Sequence, residues 1–211
     1  MDKIITKDMN IGILGGTFNP VHCGHLNMAN VALRSGLVSC VAFLPLSLAP
    51  HKNNDYIADK EDRYNMLILA TKDNPQITVW RDEIDRKGYT YTIDTLRILI
   101  NKYPNNKLTY IIGTDTLLVL DKWKEIGEIF KLCGFLVIYR PGSDISKVLL
   151  KIKEYEDGYG AHISMIKEDG YKAASSAIRV SLINGDNTEN LLPSSVYQYI
   201  LEHNLYGVKN D

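Results

Sequence analysis

Cysteine is scarce in this chain. Cys23, Cys40 and Cys133 are an odd number with no C-x-x-C spacing, which argues against a disulfide framework and against a zinc site. Reduced thiols in a cytoplasmic protein are the expectation. An excess of either charge is lacking too: 24 Lys and Arg against 25 Asp and Glu leave a net charge of −1. A global basic field for a nucleic-acid polymer is therefore absent, although a few placed groups suffice for a small phosphate ligand. Long apolar runs are missing, so no segment approaches a membrane span, and the opening MDKIITKDMN is too short and too charged for a secretory leader. There is no G-x-x-x-x-G-K-[ST], which removes the P-loop. Gly12, Gly15 and Gly16 do not fit G-x-G-x-x-G, which removes a dehydrogenase-type dinucleotide site. Internal repeats, low-complexity tracts and long linkers are also absent. The 211 residues then read as one domain over 1–211, with a helical C-terminal subregion over 174–211.

What is present alternates. Strand-like segments at 11–14, 41–45, 77–80, 108–112, 135–139 and 162–166 are separated by helix-like segments. Those helices are expected at 26–35, 60–72, 92–103, from 116 to 123, and at 145–155. Two further short helices are expected near 177–183 and 194–202. Such alternation predicts an α/β fold, doubly wound on a mainly parallel sheet. Open sheets of this kind bind ligands at the carboxyl ends of their strands. The loops there are 15–25, 46–52, 81–92 and 113–116.

The first of these loops carries the most chemistry. GGTFNPVHCGH over 15–25 follows an apolar strand and opens a helix. That geometry aims backbone N–H groups and the positive helix end at an anion, usually phosphate. His22 and His25 are three apart, so a helix starting near Val21 would put both rings on one face. Gly15, Gly16, Thr17 and Phe18 would shape the cradle. Two imidazoles beside it suit charge stabilisation on a phosphoryl group in transit.

Four more segments add to this. Lys52, in PLSLAPHK over 45–52, sits on a proline-stiffened loop and can bring a point charge to phosphate. In GYTYTIDTL over 88–96, Thr92 is a candidate helix N-cap, and the free N–H groups behind it can receive a carboxylate. In IGTDTLLVLDKW over 112–123, Gly113 lets backbone approach a ligand and Asp115 can accept from a ribose hydroxyl. Trp123 offers a flat face to a pyridine ring. In AASSAIR over 173–179, Ser175, Ser176 and Arg179 at a helix start form a second phosphate site.

These motifs together resemble the HxGH nucleotidylyltransferase superfamily and, more closely, the bacterial nicotinate-nucleotide adenylyltransferases. That family shows GGTFDPxHxGHL, PxxxPPHK, E…GxSYTIDTL (here Arg81-Asp82-Glu83 through Leu96), IGxDxLxxLxxW and ISSTxIR. The similarity runs from about Ile11 to Tyr206 and is weakest over 144–172. Asn19, Ala49, Thr90, Ala174 and Ala177 depart from it, and the last removes one hydroxyl from the second phosphate site.

The resemblance implies ATP and nicotinate mononucleotide as substrates, with nicotinate adenine dinucleotide and pyrophosphate as products, a step of NAD synthesis. It implies direct in-line attack without a covalent intermediate. His22, His25, Lys52 and Arg179 are the expected catalytic residues. Gly15, Gly16, Thr17, Phe18, Gly113, Asp115, Ser175 and Ser176 are expected at ATP. Thr90, Tyr91, Thr92 and Trp123 are expected at the mononucleotide. Mg²⁺ would arrive with ATP, since no carboxylate cluster suggests a dedicated cage. No nucleic-acid or membrane partner is expected.

Three other readings remain open here. A pantetheine-phosphate adenylyltransferase shares the first motif but leaves GYTYTIDT and Trp123 without a use. A class I aminoacyl-tRNA synthetase fragment would bring KMSKS and a basic surface. A non-enzymatic nucleotide sensor need not keep cations around an α-phosphate.

Overall fold

The computed structural model describes residues 4–47, 57–139, 142–167, 173–188 and 190–208. Six strands, β1 (Asn10–Gly16), β2 (Cys40–Pro45), β3 (Ile77–Val79), β4 (Lys107–Gly113), β5 (Gly134–Ile138) and β6 (Ile163–Ile166), form one sheet in the order β3-β2-β1-β4-β5-β6. Every pairing is parallel. The helices are α1 (Cys23–Arg34), α2 (Lys60–Thr71), α3 (Thr92–Lys102), α4 (Thr114–Leu117), α5 (Ile126–Leu132), α6 (Ile145–Tyr159), α7 (Ser175–Asn184) and α8 (Ser194–Glu202). The α/β architecture expected from the alternation is the one observed.

Strand periodicity divides the core in two. Ile11, Ile13, Ala42, Leu44, Tyr110, Ile112, Phe135 and Val137 face one side and pack with Ile93, Leu96 and Leu99 of α3, Phe130 of α5 and Tyr155 of α6. Leu14, Val41, Phe43, Ile111, Leu136 and Ile138 face the other, against Ala29 and Ala32 of α1, Met66 and Leu67 of α2, Ile178 of α7 and Val196 of α8. Fully burying one such aliphatic side chain contributes about 1.5–3 kcal/mol. Both layers are therefore needed to hold a sheet buried on its two faces.

The winding reverses between β1 and β4, which are neighbours in space although two strands separate them in sequence. Their carboxyl ends diverge into a crevice, the usual ligand position of an open parallel sheet.

Three local expectations are corrected. The helix predicted from 116 to 123 is instead the single turn α4 followed by a 3-10 turn, Leu120–Lys122. A separate helix, α5, which periodicity did not separate out, follows after Glu125. Glu125 has φ 56, a left-handed conformation that no continuous right-handed helix contains. Helix α3 begins at Thr92 with Tyr91 at its N-cap, so Thr92 is not the cap. Helix α1 begins at Cys23 rather than near Val21, with His22 as its cap. Among the described residues no helix is long and apolar enough to cross a membrane.

Candidate active site

At the end of β1 the chain turns through Thr17, Phe18 and Asn19 into α1. His22 is extended (φ −142, ψ 169) and caps that helix with its ring: His22 Nδ1 accepts the His25 backbone N–H, and His25 Nδ1 accepts the His22 backbone N–H, at 3.3 and 3.2 Å. This is a capping box built from two imidazoles. The rings stack with centroids 3.6 Å apart. Because both Nδ1 atoms accept, each neutral ring carries its proton on Nε2 and is a donor there. The pair thus supplies two N–H donors without either ring needing a positive charge. Gly24 makes room for this: an added Cβ would stand 2.9 Å from His22 Nδ1. Phe18, left-handed at φ 49 and 2% exposed, sets its ring edge-on to His25 at 4.9 Å.

Distant parts of the chain brace this turn. Arg179 Nη1 donates to the Asn19 carbonyl (2.7 Å) and Ser175 Oγ to the Pro20 carbonyl (3.0 Å), which fastens the start of α7 to the cradle. Asn19 Oδ1 accepts from the Ala58 amide (3.0 Å) and the Tyr206 hydroxyl (2.9 Å). A carboxylate oxygen would accept the same two bonds. An Asp here would place a negative charge beside Arg179, which the Asn19 amide does not. Burial pushes the Tyr206 hydroxyl above its ordinary range, and Arg179 and Arg63 pull it back.

The opposite wall is made by α3, β4 and the segment after α4. Thr92 and Trp123 face the cavity, and Tyr110 stands edge-on to Trp123 at 5.6 Å. Behind them Glu83 is 2% exposed and accepts from Thr95 Oγ1 (2.6 Å) and Thr90 Oγ1 (3.4 Å), while Arg86 donates to Thr95 Oγ1 (2.9 Å). Burial raises the Glu83 carboxyl above the usual carboxylate range, and the Thr95 bond opposes that. Burial also raises the Tyr110 hydroxyl, with Glu83 acting in the same sense and the Thr92 hydroxyl against it. Both groups are held neutral more readily than in water.

One cavity of about 980 Å³ joins the two walls. Gly15, Gly16, Thr17, Phe18, His22, His25, Thr92, Gly113, Asp115, Trp123, Ser175, Ser176 and Arg179, all expected from the sequence, line it. Thr90 and Tyr91 are not among its lining residues. Thr90 turns inward to Glu83, and Tyr91 lies under Lys124, whose Nζ is 4.6 Å from the ring centroid. Lys52 lies outside the described residues. Trp123 packs on the core through Phe135 and still borders the cavity. Sequence reasoning assigned no part to Arg63 or Tyr110, and Glu83 entered it only as the acidic residue of the E…GxSYTIDTL resemblance. Arg63 left a signal: it occupies the inward position of α2, three and four residues before Met66 and Leu67. Tyr110 was hidden in a run that reads simply as a buried strand.

Comparison with known proteins gives a consistent picture. The profile of the cytidylyltransferase-like family matches residues 13–180. A probable nicotinate-nucleotide adenylyltransferase of a Thermoanaerobacter species is 36% identical over 201 residues, which is 95% of this chain and 95% of the relative. The nicotinate-nucleotide adenylyltransferase of Bacillus subtilis is 35% identical over 196 residues, 93% of this chain and 97% of the relative. In fold, the chain is similar to a Plasmodium falciparum nicotinic acid mononucleotide adenylyltransferase solved with NaAD. The TM-score is 0.78 at 19% identity, covering 95% of this chain and 98% of that one.

Proposed function

This chain belongs to the cytidylyltransferase-like family and, within it, to the nicotinate-nucleotide adenylyltransferases, and we propose that it transfers the adenylyl group of ATP to nicotinate mononucleotide. The products are nicotinate adenine dinucleotide and pyrophosphate, in NAD biosynthesis. The observation that carries this reading is the junction of two dissimilar walls in one cavity. The stacked His22 and His25 with Arg179 stand on one side, and the start of α3 with Trp123 on the other.

In the proposed reaction a 5′-phosphate oxygen of the mononucleotide attacks the α-phosphorus of ATP in line. The α–β bridging bond breaks, and pyrophosphate leaves with the electron pair. The attacking oxygen is already anionic, so no general base is required. The protein's contribution is positioning and stabilisation of charge. His22 and His25 donate from Nε2 to phosphate oxygens. Arg179, its Nη1 anchored on the Asn19 carbonyl, presents the rest of its fork to the polyphosphate beside Ser175 and Ser176. Gly15, Gly16, Thr17 and Phe18 form the cradle, and Lys52 adds a point charge. Gly113 and Asp115 receive the adenosine part. Thr92 and Trp123 hold the nicotinate ring, with Thr90 and Tyr91 supporting the loop that leads to them.

Mg²⁺ bound on the phosphates would neutralise the charge that builds up as pyrophosphate departs. Among the described residues the cavity's donors, hydroxyls and the one lining carboxylate, Asp115, fit an ion carried mainly by phosphate oxygens and water. The reaction is expected in the cytoplasm, where thiols such as Cys23, Cys40 and Cys133 stay reduced.

Pyrophosphate release from ATP, with and without each mononucleotide, tests the reading. Release that requires nicotinate mononucleotide is expected. ATP binding without mononucleotide-dependent release would move the protein to a sensor.

A further inference from the structure

Arg63 is 1% exposed, and among the fully buried side chains of the described residues only Trp80 is larger. Its four hydrogen bonds all go to main-chain carbonyls. Nε donates to Ala58 (3.1 Å), Nη1 to Thr17 (2.8 Å) and Leu46 (2.7 Å), and Nη2 to Ser47 (3.0 Å). One planar guanidinium therefore ties together the turn after β1, the exit of β2 and the entry to α2. Leu46 and Gly16 are also joined directly, amide to carbonyl, at 3.0 Å.

Burying a charge in this way is a poor means of gaining stability alone, because apolar side chains of similar volume often do as well or better. What the guanidinium supplies is a fixed relation between three segments. Thr17 immediately precedes Phe18, whose left-handed backbone persists only where its surroundings over-determine it. Arg63 holds the carbonyl on one side of Phe18, and the Asn19 side chain is held on the other by Ala58 and Tyr206. The ring so placed is the one that stands edge-on to His25.

We propose that Arg63 is a positioning residue for the phosphate cradle: by fixing Thr17 against Leu46, Ser47 and Ala58 it sets Phe18, and through Phe18 the His25 imidazole. It touches no substrate. The proposal rests on the adenylyl transfer proposed above.

Arg63→Lys keeps the charge and loses the four-way fork. Thr71→Val is the control: it lies on the same helix, and its buried hydroxyl bonds only within that helix, to the Leu67 carbonyl at 2.8 Å. In Arg63→Lys we expect kcat to fall by at least about tenfold, the scale of a small misplacement at a reacting centre. KM for ATP should change by less than about threefold, since the groups that touch ATP remain. The His25 ring resonances should shift in NMR spectra. Arg63→Ala should lose more, and millimolar guanidinium, but not ammonium, should restore part of kcat. A cavity of about 430 Å³ bordered by Thr17, Ser47, Ala58 and Arg63 gives the small cation its way in.

Wild-type kcat with unshifted His25 resonances in Arg63→Lys overturns the proposal. So does a loss of kcat that Thr71→Val reproduces at equal loss of melting temperature, and so does failure of Arg63→Lys to fold. If Arg63→Ala alone does not fold, the Lys variant decides. A wild type that uses neither mononucleotide overturns the activity but not the placement of Arg63, which the His25 resonances then test by themselves.

Discussion

At the proposed phosphate end of the cavity the glycines and both histidines come from one unbroken stretch, 15–25, whose two histidines form the capping box of their own helix. At the ring end they come from three separate places: the start of α3, the middle of β4 and the end of the 3-10 turn at Trp123. Helix α7 adds Ser175, Ser176 and Arg179 to that end, and Arg63 and Tyr206 brace its turn from afar. The ring end is assembled by the tertiary structure around the buried Glu83. Charge is handled differently as well. Cations gather round the turn with no carboxylate from Asn19 beside them, whereas the ring wall buries a carboxyl and a phenol that resist ionisation. The two ends of the cavity are thus two different environments.

The sharpest way to break the comparison is His25→Ala. A donor that tightens on transition-state charge is worth on the order of 10²–10³ in rate, so kcat should drop by that factor while mononucleotide binding changes little. Steady-state kinetics on folded protein check it, and turnover near wild type would take the histidines out of the mechanism. Substrate choice probes the other end. The N-terminus of α3 favours a carboxylate by roughly 0.3–1 kcal/mol when exposed and up to about 2 when partly buried. Leaving buried donors facing a carboxamide costs about 1–3 kcal/mol more. Nicotinate mononucleotide should then be preferred to the nicotinamide form by at least about tenfold in kcat/KM. Trp123→Ala should weaken both substrates and spare most of the preference. A preference that disappeared with the indole would give the discrimination to the ring rather than to the helix start.

Arg179→Lys is expected to act more narrowly. It keeps a charge and loses the fork that bonds Asn19 while facing phosphate. KM for ATP should rise by about tenfold, the low end of the scale for one charged hydrogen bond, with mononucleotide binding unchanged as read by calorimetry.

The smallest effect concerns stability. Glu83 has a folded-state pKa raised by burial, so the folded protein binds its proton more tightly than the unfolded chain. Stability then falls as pH rises from the ordinary carboxylate range through the raised folded value, and is level above it. Urea unfolding across that window should show this fall in the wild type and a flatter profile in Glu83→Gln. Identical profiles would mean that Glu83 is solvated more than its 2% exposure implies.

Much of the phosphate end is legible in sequence because a turn, a helix start and a three-residue histidine spacing are local facts. Hydrogen bonds within four residues bring the rings together. The ring end was legible only as motifs. GYTYTIDTL pointed to a helix start, yet which of its residues face the cavity depends on how the segment packs. Thr90 turns in to a carboxyl seven residues earlier in the chain and Tyr91 out beneath Lys124.

By itself, the sequence determined the alternation of strands and helices and the strand–turn–helix form of the first loop with its paired histidines, since period and spacing act over a few residues. Only the tertiary structure decided that β4 lies beside β1, which brings Trp123 and Tyr110 opposite the histidines. It alone decided that Arg63, an ordinary basic residue on a helix in the sequence, is buried among carbonyls from three segments. The reason is physical: helical periodicity could turn Arg63 inward, but strand order and the carbonyls that receive its guanidinium are settled by contacts between residues far apart in the chain.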